Sequence, residues 1–226
     1  MSDTFTLILE TSTPLASLAT VGADHRIVQR EFTSDRSANA GIFSPLQELL
    51  DARQAEQLER VLVGSGPGSY SGTRVGIAAA QGVAIASGCP AIAVPSVLAV
   101  PTAENGARCL AIGDARRGSY WTAIISEPRL DSGPELTDAD GLSEMVRKTL
   151  NEGVPVFSFE LPARFPLPTE LQDQVRVEFP NASRLWLAWS AATAETRTAW
   201  AAAIPQPIYL KPPHITPAKR SWLMPS

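Results

Sequence analysis

The feature that most restricts this chain is a short apolar run, Arg60 to Gly64, that passes through Gly64-Ser65-Gly66-Pro67-Gly68-Ser69-Tyr70-Ser71-Gly72-Thr73-Arg74 into a stretch of almost only small and aliphatic residues. A buried strand, a tight glycine turn and a helix over about Thr73 to Ser87 form a strand–turn–helix unit of an α/β protein. Within that helix Gly76, Ala78, Ala79, Ala80, Gly82, Ala84 and Ala86 leave room for a close neighbour. A glycine in a helix interior costs about 1 kcal/mol relative to alanine, so Gly76 and Gly82 call for a packing reason. The neighbour is either the protein's own sheet or a partner subunit, and the spacing leaves both open.

Around this unit the hydrophobic pattern is regular. Phe5 to Glu10, Leu15 to Val21 and Arg26 to Phe32 read as three antiparallel strands separated by turn residues. Ile42, Phe43, Leu46, Leu49 and Leu50 recur at helical spacing and predict a helix from about Ser44 to Gln54, with Ser44 as cap and Pro45 in its first turn. Pro90 to Val94 is the next strand, so the first hundred residues read β-β-β-α-β-α-β. A second pass follows: strands at Arg108 to Gly113 and Tyr120 to Ser126, a Pro- and Gly-rich connection, and a helix from about Gly141 to Asn151. Strands at Val154 to Phe159 and Val175 to Phe179 complete it, with a last helix over Ser183 to Ala203. Leu185, Trp186, Trp189 and Trp200 fall near one face of that helix and read as core. Between the last two strands, the prolines of 161–168 forbid a regular central element. The near-repeat predicts two similar lobes of mixed sheet with flanking helices, and a ligand would sit between them.

Composition fits this picture. The 226 residues suit one large domain or two lobes of roughly 100 residues each, and 44% hydrophobic with 19% charged residues describes a globular chain. The net charge of −4 has the wrong sign for counterion-driven nucleic-acid binding. The two cysteines, Cys89 and Cys109, are too few for a disulfide framework, which predicts a reducing, cytoplasmic setting. No signal-peptide core is recognisable, and the apolar stretch Val75 to Val94 is broken by Gln81, Gly82 and Gly88-Cys89-Pro90, so no membrane role is expected.

Three sets of residues can carry chemistry. The glycine segment presents backbone N–H groups at a helix start, suited to an anion. It lacks the Gly-Lys-Ser/Thr of a P-loop, has Ser71 where a dinucleotide fingerprint needs glycine, and contains no Gly-x-Ser-x-Gly elbow. The turns Glu10-Thr11-Ser12-Thr13 and Asp114-Ala115-Arg116-Arg117-Gly118 each follow the first strand of a lobe. Facing each other across a cleft, such turns hold a nucleotide's phosphates and metal in two-lobed phosphotransferases, and Arg116 suits phosphate or an internal carboxylate equally. Metal catalysis is poorly supported, because His25 in a hairpin and His214 in a proline-rich tail belong to no paired ligand motif. The tail from Lys211 onward, with Lys219 and Arg220 and no acid, is a local basic patch or a solvated end.

Taken in order, Leu7-Ile8-Leu9-Glu10-Thr11-Ser12, the segment Gly66 to Gly76, Asp114-Ala115-Arg116 and Pro207-Ile208-Tyr209-Leu210-Lys211 resemble the TsaB (YeaZ) family of tRNA threonylcarbamoyladenosine biosynthesis proteins, relatives of the glycoprotease-like TsaD proteins. The resemblance implies an actin-like ATPase (ASKHA) fold, with lobes over 1–100 and 101–226 and the last helix and tail packing back on the first lobe. It implies a non-catalytic dimerisation subunit that binds and activates the catalytic TsaD paralogue, joins the ATPase TsaE, and meets tRNA through the complex. No cofactor or metal of its own is implied, only ATP or ADP at a subunit interface. Gly66, Pro67, Gly68, Ser69, Tyr70, Gly72 and Arg74 become the partner or ligand loop. Phe43, Leu46, Gly76, Ala79 and Ala80 become the dimer face, and Glu10, Thr11, Ser12, Asp114 and Arg116 the cleft. Whether the isolated chain also forms a homodimer is left open. Three departures stand out: Ser37-Ala38-Asn39-Ala40 where the family often has His-Ser, Gly118-Ser119-Tyr120-Trp121 where it has Gly-Glu-Val-Tyr, and Lys211 in place of arginine. The rival is a small-molecule kinase or ATPase of the same fold that uses Glu10 and Asp114 around a metal-bound nucleotide, although no adenosine-binding Gly-Gly motif is recognisable.

Overall fold

The computed structural model describes residues 3–33, 39–127 and 129–210. The substitution at 37–38 and the basic tail with Lys211, His214, Lys219 and Arg220 lie outside the described residues.

In the first lobe, β1 (Thr4–Glu10), β2 (Leu15–Gly22) and β3 (Ile27–Thr33) form an antiparallel meander. β4 (Gln57–Gly64) and β5 (Ala91–Val94) add in parallel on the other edge of β1, giving the order β3-β2-β1-β4-β5. The second lobe repeats the plan. β6 (Cys109–Asp114), β7 (Tyr120–Ile125) and β8 (Leu130–Thr137) form the meander, and β9 (Val156–Ser158) and β10 (Val175–Val177) complete the order β10-β9-β6-β7-β8. Two five-stranded sheets of the same order make the duplicated architecture of the actin-like fold.

Both faces of the first sheet are covered, which is why β1 reads as a continuous apolar run rather than an alternating one. Leu7 and Leu9 point to one side, where α1 (Phe43–Asp51) and α2 (Tyr70–Ser87) supply Leu46, Leu49, Ile77, Ala80 and Ala84. Ile8 points to the other, with Leu62, Ile92 and Val94, and meets Leu185 and Trp189 of α5 (Ala182–Ala191). A C-terminal helix therefore closes the first lobe. In the second sheet α3 (Ala139–Asn151) covers Leu110, Ile112 and Val156 with Leu142 and Val146, and Phe165 and Leu167 of the loop after β9, with Leu171 of the short α4 (Thr169–Gln172), seal the same core.

Several predicted boundaries change for physical reasons. α1 begins one residue earlier than expected, with Ile42 rather than Ser44 at the cap and no capping side chain, because a 3₁₀ turn over Asn39–Ile42 leads straight into it. Pro45 still lies in the first turn, where its missing N–H loses no intrahelical bond. α2 starts at Tyr70 rather than Thr73, since the Ser69 hydroxyl accepts from the Gly72 N–H and nucleates the turn. α3 begins at Ala139, two residues before Gly141, capped by Asp138. The Pro- and Gly-rich connection after β7 is a strand, β8, paired with β7 through a register shift that accommodates Gly133 and Pro134. The single last helix is two, α5 and α6 (Ala194–Ala202), because Ala192 is extended and Thr193 caps a new start. Trp189 and Trp200 stay together across the break, with ring centroids 6.1 Å apart.

The two helix glycines separate cleanly. A Cβ at Gly76 would overlap Thr11 Oγ1, whereas nothing lies within 4 Å of one at Gly82. Gly76→Leu is therefore expected to destabilise the monomer itself, by about 2 kcal/mol or more, in the range of overpacked cores. Gly82→Ala should stabilise by about 0.5–1 kcal/mol. Urea unfolding of the two variants beside the wild type checks both signs.

Candidate functional site

The most constrained place in the molecule is where the glycine segment lies on the turn after β1. Gly66 adopts φ +82° and its peptide to Pro67 is cis, turning the chain down from β4 toward the hairpin. A Cβ at Gly68 would overlap Ser12 O, and one at Gly72 would overlap Thr11 O. In the room left by the missing side chains, the Ser69 N–H donates to Ser12 O at 2.6 Å and Thr11 Oγ1 donates to Gly72 O at 2.8 Å. Thr11, Ser12 and Thr13 are buried as a result. The expected pair of turns facing one another across an open cleft is thus corrected: the first turn is roofed by the glycine segment of its own lobe.

Glu10 lies under the same roof and is 0% exposed. Its Oε1 accepts the Ser12 N–H at 2.7 Å. A Cβ at Gly64 would run into Oε2 and lie 2.6 Å from Ser96 Oγ, so the carboxyl and the Ser96 hydroxyl share one small polar pocket. Ser96 Oγ also accepts the Gly66 N–H at 3.0 Å, which ties this pocket to the start of the glycine turn. Burial raises the Glu10 pKa above the usual carboxyl value, and hydrogen bonds from Ser12, Ser96 and Thr11 offset this only in part.

The second turn differs. Asp114 is half-buried, its N–H donates to Glu160 Oε2 at 2.7 Å, and its carboxylate takes Arg116 Nη1 at 3.0 Å and the Arg116 N–H at 2.6 Å. Arg116 and Arg117 have φ of 68° and 58° and are exposed. Glu10 and Asp114 thus have separate partners, and no hydrogen bond joins them. Ser96 and Glu160, which complete the two turns, carry no local sequence signal, because each lies two residues past the end of a strand, β5 and β9, brought alongside only by sheet assembly. Among the described residues no group of three His, Cys, Asp or Glu is arranged to hold a metal ion. His25 is an exposed hairpin residue. Burial pushes the Cys109 thiol up to about 12 and also raises Cys89, so neither is an activated nucleophile.

The residues assigned to the dimer face divide. Leu46, Gly76 and Ala80 belong to the lobe's own packing and face inward, which corrects their placement on an outer surface. Ala79 is half-buried, and Phe43 is exposed. The outward row of α2 is instead Arg74, Ala78, Gly82 and Ile85, and Ile85 is 83% exposed. In the loop, Gly66, Pro67 and Gly72 are buried, Ser69 is half-buried as the helix cap, and Gly68, Tyr70 and Arg74 reach the surface.

The buried carboxyl gives a pH-dependent prediction. Its folded pKa lies above the unfolded value of 4.5, so the contribution to stability is fully present below 4.5 and is lost as pH rises through the folded value. Glu10→Gln keeps an acceptor for the Ser12 N–H and supplies a neutral donor to Ser96. It should unfold at higher urea than the wild type at pH 8, with the gap closing toward pH 4.

A family model described as TsaD: tRNA N6-adenosine threonylcarbamoyltransferase matches residues 36–133. The chain is 33% identical over 127 residues to the tRNA threonylcarbamoyladenosine biosynthesis protein TsaB of Escherichia coli K12, an alignment covering 51% of this chain and 52% of that protein. It therefore spans about half the length of that relative. It is 30% identical over 148 residues to an uncharacterized protein of Mycobacterium tuberculosis H37Rv, covering 59% of this chain and 70% of that one. The solved structure of YeaZ from Pseudomonas aeruginosa superposes with a TM-score of 0.62 at 23% identity, covering 93% of this chain and all of that one, and shares its fold. No helix among the described residues is long and apolar enough to cross a membrane. With the glycine segment, the Glu-Thr-Ser turn and the duplicated sheet all in place, this chain belongs to the TsaB (YeaZ) family.

Proposed function

We propose that this protein is a non-catalytic docking subunit in threonylcarbamoyladenosine modification of tRNA, which binds the catalytic TsaD paralogue and activates it. The observation that carries the reading is the fate of the first hairpin turn. In a phosphotransferase of this architecture that turn opens to the cleft, whereas here Glu10, Thr11, Ser12 and Thr13 are buried beneath their own glycine segment. The kinase reading needs an ionised, accessible Glu10 to hold a metal-bound nucleotide, and burial favours the neutral acid. The outer side of α1 and α2 is exposed by contrast, with small Ala78 and Gly82 on α2 between Tyr70 and Ile85, and with Phe43 exposed on α1. Small residues on a helix let a second helix approach closely, and the exposed aromatic and aliphatic groups supply area for burial. On this reading TsaE and tRNA are met through the assembled complex, any ATP or ADP is held at a subunit interface, and the protein acts in the cytoplasm.

Light scattering on the chain mixed with the catalytic paralogue of the same organism is expected to give a one-to-one complex at micromolar concentration. Ala78→Glu, which places a charge on the outward row without touching the core, should abolish that complex and leave the thermal midpoint within about 2 °C, as surface changes usually do. Calorimetric titration of the isolated chain with ATP and magnesium should show no saturable heat. Saturable binding there, together with no complex in the mixture, would establish the kinase reading instead.

A further inference from the structure

Over Tyr70–Ser87, helix α2 contains one charged residue, Arg74, and no acid. At 100° per residue, Arg74, Ala78 and Ile85 fall in one narrow arc, so this cation stands on the outward face, near the helix's N-terminal end. What holds it is aromatic. The guanidinium lies 4.3 Å from the Tyr70 ring centroid and 5.7 Å from that of Tyr209, and Nη2 donates to Tyr209 Oη at 3.1 Å. Among the described residues no carboxylate comes within ion-pair distance of it, although eight other arginines have one.

Tyr209 is delivered by an extended strap that follows α6. Gln81 Nε2 donates to Pro205 O at 3.3 Å, the Ile208 N–H donates to Ser65 O at 2.9 Å, and Leu210 packs on the second-lobe core. The ring is thus fixed from both sides, and with Tyr70 it holds the guanidinium in place before any partner arrives. The rings remain accessible, Tyr70 at 60% and Tyr209 at 50%, and Ile204 of the same strap is 79% exposed. An arginine already ordered between half-exposed tyrosines, with apolar groups around it, has the composition of an interface anchor and little side-chain freedom left to lose on binding.

We propose that Tyr70, Arg74 and Tyr209 form the anchor of the partner interface and receive a carboxylate of the partner protein, an inference that rests on the docking reading above. The charge of Arg74 has no anion among the described residues, and a guanidinium accepts a carboxylate through two parallel hydrogen bonds. On a two-fold axis that sets α2 against α2, a second copy brings no acid from that helix to Arg74, and Glu48 of the neighbouring α1 is already paired with Arg30. The net charge of −4 weighs against a nucleic acid as the occupant. The strap thereby makes the C-terminal segment part of a surface that otherwise belongs to the first lobe.

The test is the dissociation constant between the full chain and the catalytic paralogue of the same organism, for the wild type, Arg74→Glu, Arg74→Lys and Ala78→Glu. Arg74→Glu should weaken binding about tenfold or more, with the thermal midpoint unchanged. Arg74→Lys, which keeps the charge and loses the paired geometry, should fall between it and the wild type. If Ala78→Glu abolishes the complex while Arg74→Glu leaves affinity within about twofold, the anchor is wrong and the docking reading stands. If the wild type forms no complex, or Ala78→Glu also leaves it intact, the docking reading fails and takes the anchor with it. An Arg74→Glu effect confined to self-association, or to tRNA binding measured separately, would overturn the proposal by assigning the cluster to a different occupant.

Discussion

The first lobe depends on backbone meeting backbone. The glycine segment rests on the turn after β1 so closely that a Cβ at Gly68, Gly72 or Gly76 would occupy the position of an oxygen of Ser12 or Thr11. That approach fixes where α2 begins, how far β4 sits from β1, and which side of α2 faces the sheet. It also removes Thr11, Ser12 and Thr13 from solvent while satisfying Thr11 Oγ1 and the Ser69 N–H with backbone carbonyls. A larger residue at any of these glycines would have to lift the helix off the sheet, exposing Ile77, Ala80 and Ala84 together.

The same packing divides the molecule's polar groups. Glu10 is held as a buried acid whose neighbours are two hydroxyls and the Thr11 and Ser12 N–H groups, and its burial favours the neutral form. Asp114, at the equivalent turn of the second lobe, is half-exposed and paired with Arg116. Two turns with the same position in a duplicated topology have thus been put to different uses. One has become a packing element, and the other remains at the surface, where charge is inexpensive. The outward side of α2, relieved of any role in the core, carries small residues and a single arginine ordered by tyrosines from two distant parts of the chain.

Much of this was legible from residue order. Leu7-Ile8-Leu9 announced a strand buried on both faces, the glycine segment announced a strand–turn–helix unit, and the repeat of strand, strand, strand, helix announced two lobes. These signals are local, set by side-chain period and by which residues tolerate a tight turn. The strand β8 was missed because Gly133 and Pro134, which read as breakers, sit at a register shift on an edge strand, where an unpaired position is tolerated. The break between α5 and α6 was missed for a related reason: no proline or glycine marks it, and the capping hydroxyl of Thr193 looks ordinary in sequence.

Most of the elements, their duplicated order and the family can be read from residue order, because each rests on contacts between near neighbours or on a motif written in consecutive residues. Which side of each element is available depends on how the layers assemble. Gly76 and Gly82 lie in one alanine-rich helix and look interchangeable, yet one is pressed against Thr11 and the other meets nothing. Arg74 and Tyr209 are 135 positions apart, and no pattern along the chain joins them. The physical reason is the same in each case: burial and long-range pairing are properties of assembled layers, and a residue's neighbours across a layer are chosen by the packing of the whole rather than by the residues beside it.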